Sequence, residues 1–63
     1  MKQELFDQFG KRLGFIEQFG NYTQIYDSMG RLRGKYDPIS NQVYDNMGRL
    51  VGKGKELLGM LLR

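Results

Sequence analysis

Apolar and polar positions alternate along this chain in short runs, and nearly the same string interrupts them five times. The clearest copies are Ile25–Gly34 (IYDSMGRLRG) and Val43–Gly52 (VYDNMGRLVG), with a looser one at Leu5–Gly14 (LFDQFGKRLG) and two degenerate ones between them. Each copy places a bulky residue (Phe6, Ile16, Tyr26, Tyr36, Tyr44) before an acid (Asp7, Glu17, Asp27, Asp37, Asp45). Two positions after the acid comes an apolar residue (Phe9, Phe19, Met29, Ile39, Met47), then Gly10, Gly20, Gly30, Ser40 or Gly48. The acids are spaced ten, ten, ten and eight residues apart. Short runs of strand-forming residues at that spacing, each closed by a turn signal, predict an all-β array of antiparallel hairpins.

The Asp-x-x-Gly element supplies the turn. A type I turn favours Asp at its first position and Gly at its fourth. The carboxylate accepts from the backbone N–H two residues on, and the glycine takes the left-handed conformation that closes a three-residue hairpin with a G1 bulge. Strands are expected over Lys11–Ile16, Asn21–Tyr26, Arg31–Tyr36 and Asn41–Tyr44. Pro38 fits the second position of its turn, while Ser40 replaces the glycine there.

Odd and even copies differ. Copies one, three and five follow the turn glycine with Lys11, Arg31 or Arg49 and carry a second glycine (Gly14, Gly34, Gly52), whereas copies two and four have Asn21 and Asn41. Such alternation predicts a meander with successive turns at opposite ends. Glycine inside a strand marks a bulge, a bend or a close backbone approach, so these three are expected to bend the sheet, even to wind it into a ring of hairpins. Only the turn glycines are expected to need a left-handed backbone, so Gly30→Val should be far more damaging than Gly34→Ala. From Lys55 the pattern changes: Leu57, Leu58, Leu61 and Leu62 share one helical face. Nine residues with a central Gly59 do not hold a helix alone, so the tail must pack on the hairpins or join subunits. One domain results, with hairpins over residues 4–54 and the tail over 55–63.

Composition narrows the means of stabilisation. Sixty-three residues bury only a small core. Without a cysteine or histidine there is no disulfide, no thiolate site and no imidazole ligand. Regular packing and homo-oligomerisation are what remain. The net charge of +3 permits attraction to nucleic acid or anionic lipid without requiring it. No secretory h-region and no transmembrane-length apolar run is present, which points to the cytoplasm.

The apolar turn positions Phe9, Phe19, Met29, Ile39 and Met47 are the anomaly, since that place in an exposed turn is usually polar. Either the turns fold over the chain's own core, or their tips, with the leucine tail, form an interface. A basic set, Lys11, Arg12, Arg31, Arg33 and Arg49, beside Tyr22, Tyr26, Tyr36 and Tyr44, gives the alternative of a nucleic-acid surface. Pairing of Asp7 with Lys11, Asp27 with Arg31 and Asp45 with Arg49 across each turn would offset it. The five acids are better explained by turns than by acid–base chemistry. Thr23, Ser28 and Ser40 have no histidine to activate them, and Gly30-x-x-x-Gly34 lacks the Lys-Ser/Thr of a phosphate loop. An enzyme is not expected, and neither is a cofactor. The leucine tail, flanked by Lys53, Lys55 and Arg63, is short for a membrane-surface helix.

The units ELFDQFGKRLG, FIEQFGNYTQ, IYDSMGRLRG, KYDPISNQ and VYDNMGRLVG resemble the small bacterial β-flower proteins, whose hairpin petals repeat around an axis. With five units, the five-fold version is the natural comparison, over roughly residues 4–54. That resemblance implies radiating hairpins, no established activity and no site residues. YDSMGRL and YDNMGRL also resemble the YD repeats of bacterial toxin-shell proteins, which are built from many such units in very long chains. The expectation is a non-catalytic structural or interaction module working as a homo-oligomer.

Overall fold

The computed structural model describes residues 1–62; the last residue of the tail, Arg63, lies outside the described residues. Six antiparallel strands are followed by a short C-terminal 3₁₀ helix. The strands are β1 (Lys2–Phe6), β2 (Arg12–Phe19), β3 (Tyr22–Asp27), β4 (Leu32–Asp37), β5 (Gln42–Asp45) and β6 (Leu50–Lys53), and the helix is Lys55–Leu62. Their order in the sheet is their order in the chain, so the fold is the hairpin meander that the repeat predicts, with β1 and β6 as its edges. Five turns join six strands, and the segments outside the first and last turns are strands as well.

The three odd turns take the predicted form. At Asp27, the backbone carbonyl accepts from Gly30 N–H at 3.0 Å and Asp27 N–H donates to the Arg31 carbonyl at 3.0 Å. The carboxylate Oδ1 accepts from Met29 N–H at 2.9 Å and Arg31 N–H at 3.0 Å. Gly30, at φ 85°, occupies the left-handed position. Asp7 and Asp45 repeat the arrangement bond for bond.

The even turns depart from it. Glu17 sits inside β2, and the connection is the two-residue loop Gly20-Asn21 between the paired residues Phe19 and Tyr22. Gly20 has φ 52° and Asn21 is not in the positive region, which is the type II′ pattern. Glutamate, one methylene longer than aspartate, does not make the side-chain-to-backbone turn that Asp and Asn make, so Gly20 sets the loop instead. In the fourth copy the left-handed residue is Asn41, at φ 57°, and not Ser40. Asparagine tolerates that region because its short amide bonds locally, and its Oδ1 accepts from the Tyr36 hydroxyl at 2.8 Å. Asp37 keeps the turn contact of its relatives, accepting from Ile39 N–H at 2.9 Å.

Each second glycine follows a β-bulge. The register shifts between Leu5 and Phe6, between Ile25 and Tyr26, and between Val43 and Tyr44, leaving Leu13, Arg33 and Val51 as extra residues on the opposing strands. The bulges add twist, but the strands remain an open sheet and do not close into a ring. Gly34 also narrows the gap expected between Gly30→Val and Gly34→Ala. It needs no left-handed backbone, yet a Cβ at that position would strike the Tyr44 carbonyl oxygen and a Leu61 methyl. At Gly30 the space is open and only the backbone conformation resists a side chain.

One face of the sheet carries the core. Ile25 and Val43 are fully buried beneath Leu58, with Leu5, Ile16, Tyr36, Leu57, Leu61 and Leu62 packed around them. The tail thus lies across the sheet of its own chain. Its winding is 3₁₀ rather than the α-helix assumed by the leucine spacing. Eight residues interrupted by Gly59 have little helical propensity of their own, so the contacts of the leucines with the sheet set the winding. Arg33, the extra residue of the second bulge, ties the helix down through Nε to the Leu61 carbonyl at 3.0 Å. No helix among the described residues is long and apolar enough to cross a membrane.

Candidate interaction surface

Among the described residues, nothing forms a second layer on the face opposite the helix. Side chains alternate along a strand, so when Ile16, Ile25 and Val43 point to the helix their neighbours point the other way. Register brings these into rows that cross the sheet. One row runs Glu4, Phe15, Tyr26, Leu32, and the next runs Lys2, Glu17, Gln24, Lys35, Tyr44.

Aromatic rings and cations interleave there. Phe15 and Tyr26 stack with centroids 4.8 Å apart and planes at 17°, and Phe19 and Tyr22 stack at 5.7 Å and 26°. Lys2 Nζ lies 4.4 Å above the Phe15 ring, and the Arg12 guanidinium lies 5.5 Å from the same centroid. Lys35 Nζ is 5.9 Å from both the Tyr22 and Tyr44 centroids. The hydroxyls of Tyr26 and Tyr44 donate to the Gln24 and Gln42 side chains two residues back on their own strands. That fixes the rings along the sheet. Phe6, Leu32 and Leu50 are exposed where the same face meets the odd turns. Lys35, Tyr22, Tyr44, Asp37 and Ile39 line a concavity of about 390 Å³.

The apolar tips are divided between the two ends of the meander. Phe9, Met29 and Met47 stand at the odd end, exposed by 84%, 78% and 74%, and Ile39 stands at the even end, exposed by 81%. These tips do not fold over the core. Phe19 is not a tip; it ends β2 and stacks on Tyr22. Leu58 is 4% exposed, and Leu57, Leu61 and Leu62 pack against the core beside it.

The basic candidates are dispersed. Arg31 and Arg49 donate through Nε to Asp27 and Asp45 Oδ2, each at 3.1 Å. Lys11 bonds Asp7 through its backbone alone, its N–H donating to the carboxylate at 2.9 Å and its carbonyl accepting from Asp7 N–H at 2.9 Å, and among the described residues makes no ion pair with it. Arg33 is committed to the helix end, on the covered side. Arg12 alone of the five belongs to the open face: its Nε is 3.4 Å from Glu4 Oε1, outside hydrogen-bond geometry, and Nη1 donates to the Ser28 carbonyl at 3.3 Å. The Arg31 backbone N–H foremost, helped by that of Met29 and by the Arg31 guanidinium, holds the Asp27 carboxyl below its usual range against a smaller desolvation effect. Arg49 and Met47 do the same for Asp45.

Phe15, Lys2 and Lys35 are the residues that the repeat does not single out. The signal for them was present: counting outward from the turns sets Phe15 opposite Tyr26 and Lys35 opposite Gln24. Comparison with protein-family models, curated proteins and solved structures finds no match to this chain.

Proposed function

We propose that this chain is a non-catalytic interaction module that associates with itself. The observation that carries this reading is the uncovered face, where Phe15 stacks on Tyr26, Tyr22 and Tyr44 flank Lys35, and Phe6, Leu32 and Leu50 are exposed toward the odd turns. A sheet with apolar residues on both faces is stable when each face packs on another layer, and the described residues supply a layer for only one. Contiguous exposed apolar surface of this kind marks association sites. The leucine tail, which closes the chain's own core, is not part of that surface. Sedimentation velocity over a range up to tens of micromolar tests the proposal: a concentration-dependent rise in mass is expected, and a monomer throughout overturns it.

A second reading, single-stranded nucleic-acid binding, draws on Lys2, Arg12 and Lys35 beside the rings of the same face. Base stacking on aromatic side chains within a basic groove is how such proteins hold a strand. Its support is thinner, because Arg12, Arg31, Arg33 and Arg49 all have intramolecular acceptors or an acidic neighbour. Titration with single-stranded and duplex DNA at low salt decides it, since such binding is strongest there.

A further inference from the structure

We infer that the occupant of the open face is a second copy of this chain, packed sheet on sheet about a two-fold axis that runs along β3. This rests on the self-association reading above and adds the face, the orientation and the contacts.

The placing of charge on this face selects that orientation. Glu17 on β2 and Lys35 on β4 flank Gln24 on β3 in a single row of the register. Among the described residues neither Glu17 nor Lys35 has an ion-pair partner within the chain. Both stand on the face that no other layer of the described residues covers. A two-fold axis along β3, between two such faces, exchanges β2 with β4. It sets Glu17 of each copy over Lys35 of the other, twice. The same operation lays Tyr26 on its own symmetry mate, Phe15 over Leu32, and Lys2 over the Tyr44 ring. An axis running across the strands through that same row would instead set Glu17 on Glu17 and Lys35 on Lys35. Like charges in direct opposition cost several kcal/mol, so the charge pattern selects one of the two isologous arrangements.

Geometry agrees. Aligned sheets pack about 10 Å apart, at about 30° to each other because of twist. One strand from the axis, roughly 4.8 Å, that rotation shifts the facing residues by only about 2.4 Å. Long Glu and Lys side chains span such an offset. The concavity lined by Lys35, Tyr22 and Tyr44, with Asp37 on its wall, is where the carboxylate of the second copy enters, beside an ammonium that makes no ion pair among the described residues.

The test uses Glu17→Lys and Lys35→Glu, both on the surface, with circular dichroism confirming that each variant folds. Each alone gives two like-charge contacts in the assembly and should weaken dimerisation about a hundredfold or more. Mixed in equal amounts, the two variants restore opposite charge at both contacts, so the mixture should sediment as a dimer where neither variant does. Wild-type mass in either single variant, or a mixture that stays monomeric, overturns the inference while leaving self-association standing. A wild-type chain that is itself monomeric overturns both. Unchanged mass together with loss of single-stranded DNA binding on Lys35→Glu gives the face to nucleic acid and likewise overturns it.

Discussion

The two faces of this sheet are made from alternate residues of the same strands, yet they are opposite in kind. The covered face is aliphatic and glycine-rich, with Ile25, Val43 and Gly34 fitted closely beneath Leu58 and Leu61. The open face is aromatic and charged, with rings stacked along the register and cations above them. Glycine and small aliphatics allow the helix to approach the backbone. Rings with polar tips suit a surface that is wet in the free chain and covered in a complex. A strand pattern that reads as one alternation therefore encodes two different faces, one packed beneath the tail and one proposed for a contact beyond the chain.

Substitutions on the two faces should separate these contacts. The largest loss of stability is expected from Leu58→Ala, which opens a cavity over Ile25 and Val43. Buried leucine truncations cost about 2–5 kcal/mol, enough to bring a 63-residue chain close to unfolding, and urea denaturation measures it. Gly34→Ala follows, at about 1–3 kcal/mol, because the added methyl group meets the Tyr44 carbonyl and Leu61. On the other face, Tyr26→Ala loses its stack on Phe15 and should cost dilute protein about 0.5–1.5 kcal/mol beyond the area effect. If it destabilises the monomer as much as Leu58→Ala does, the open face is a core and the contrast fails.

Acid titration reads the odd turns. The folded carboxyls of Asp27 and Asp45 lie below the unfolded value of about 3.9. Their contribution is therefore complete above that value and lost as pH falls through the lower folded values. Thermal melts from about pH 6 to about pH 2 should show this loss, and Asp27→Asn with Asp45→Asn should flatten the profile. The smallest effect is expected at Met29→Ser, which removes an exposed tip and should alter folding stability by no more than about 0.5 kcal/mol.

Much of this architecture is legible in the chain before it folds. Asp-x-x-Gly at Asp7, Asp27 and Asp45 determines three hairpins, because the carboxylate, the two amides it accepts and the glycine all lie within five residues. The meander follows from the alternation of odd and even copies. Where the local code is weaker it misleads: Glu17 belongs to a strand, and Asn41 rather than Ser40 takes the left-handed place. The candidate surface was less visible, because a repeat draws attention to positions whose residue type recurs: Phe15 and Lys35 share a place in copies two and four but differ in chemistry, and Lys2 precedes the first copy.

What the sequence determines by itself is what neighbours along the chain can bond: the odd turns, the strand runs between them and the alternation of faces. Tertiary structure decides which face the tail covers, how it winds there, and therefore which face is left open. Those outcomes depend on contacts between residues far apart in the chain, such as Leu58 with Ile25 and Val43 and Arg33 with the Leu61 carbonyl. No local pattern contains them, since burial of an apolar face is non-directional and is settled only when the whole sheet is assembled.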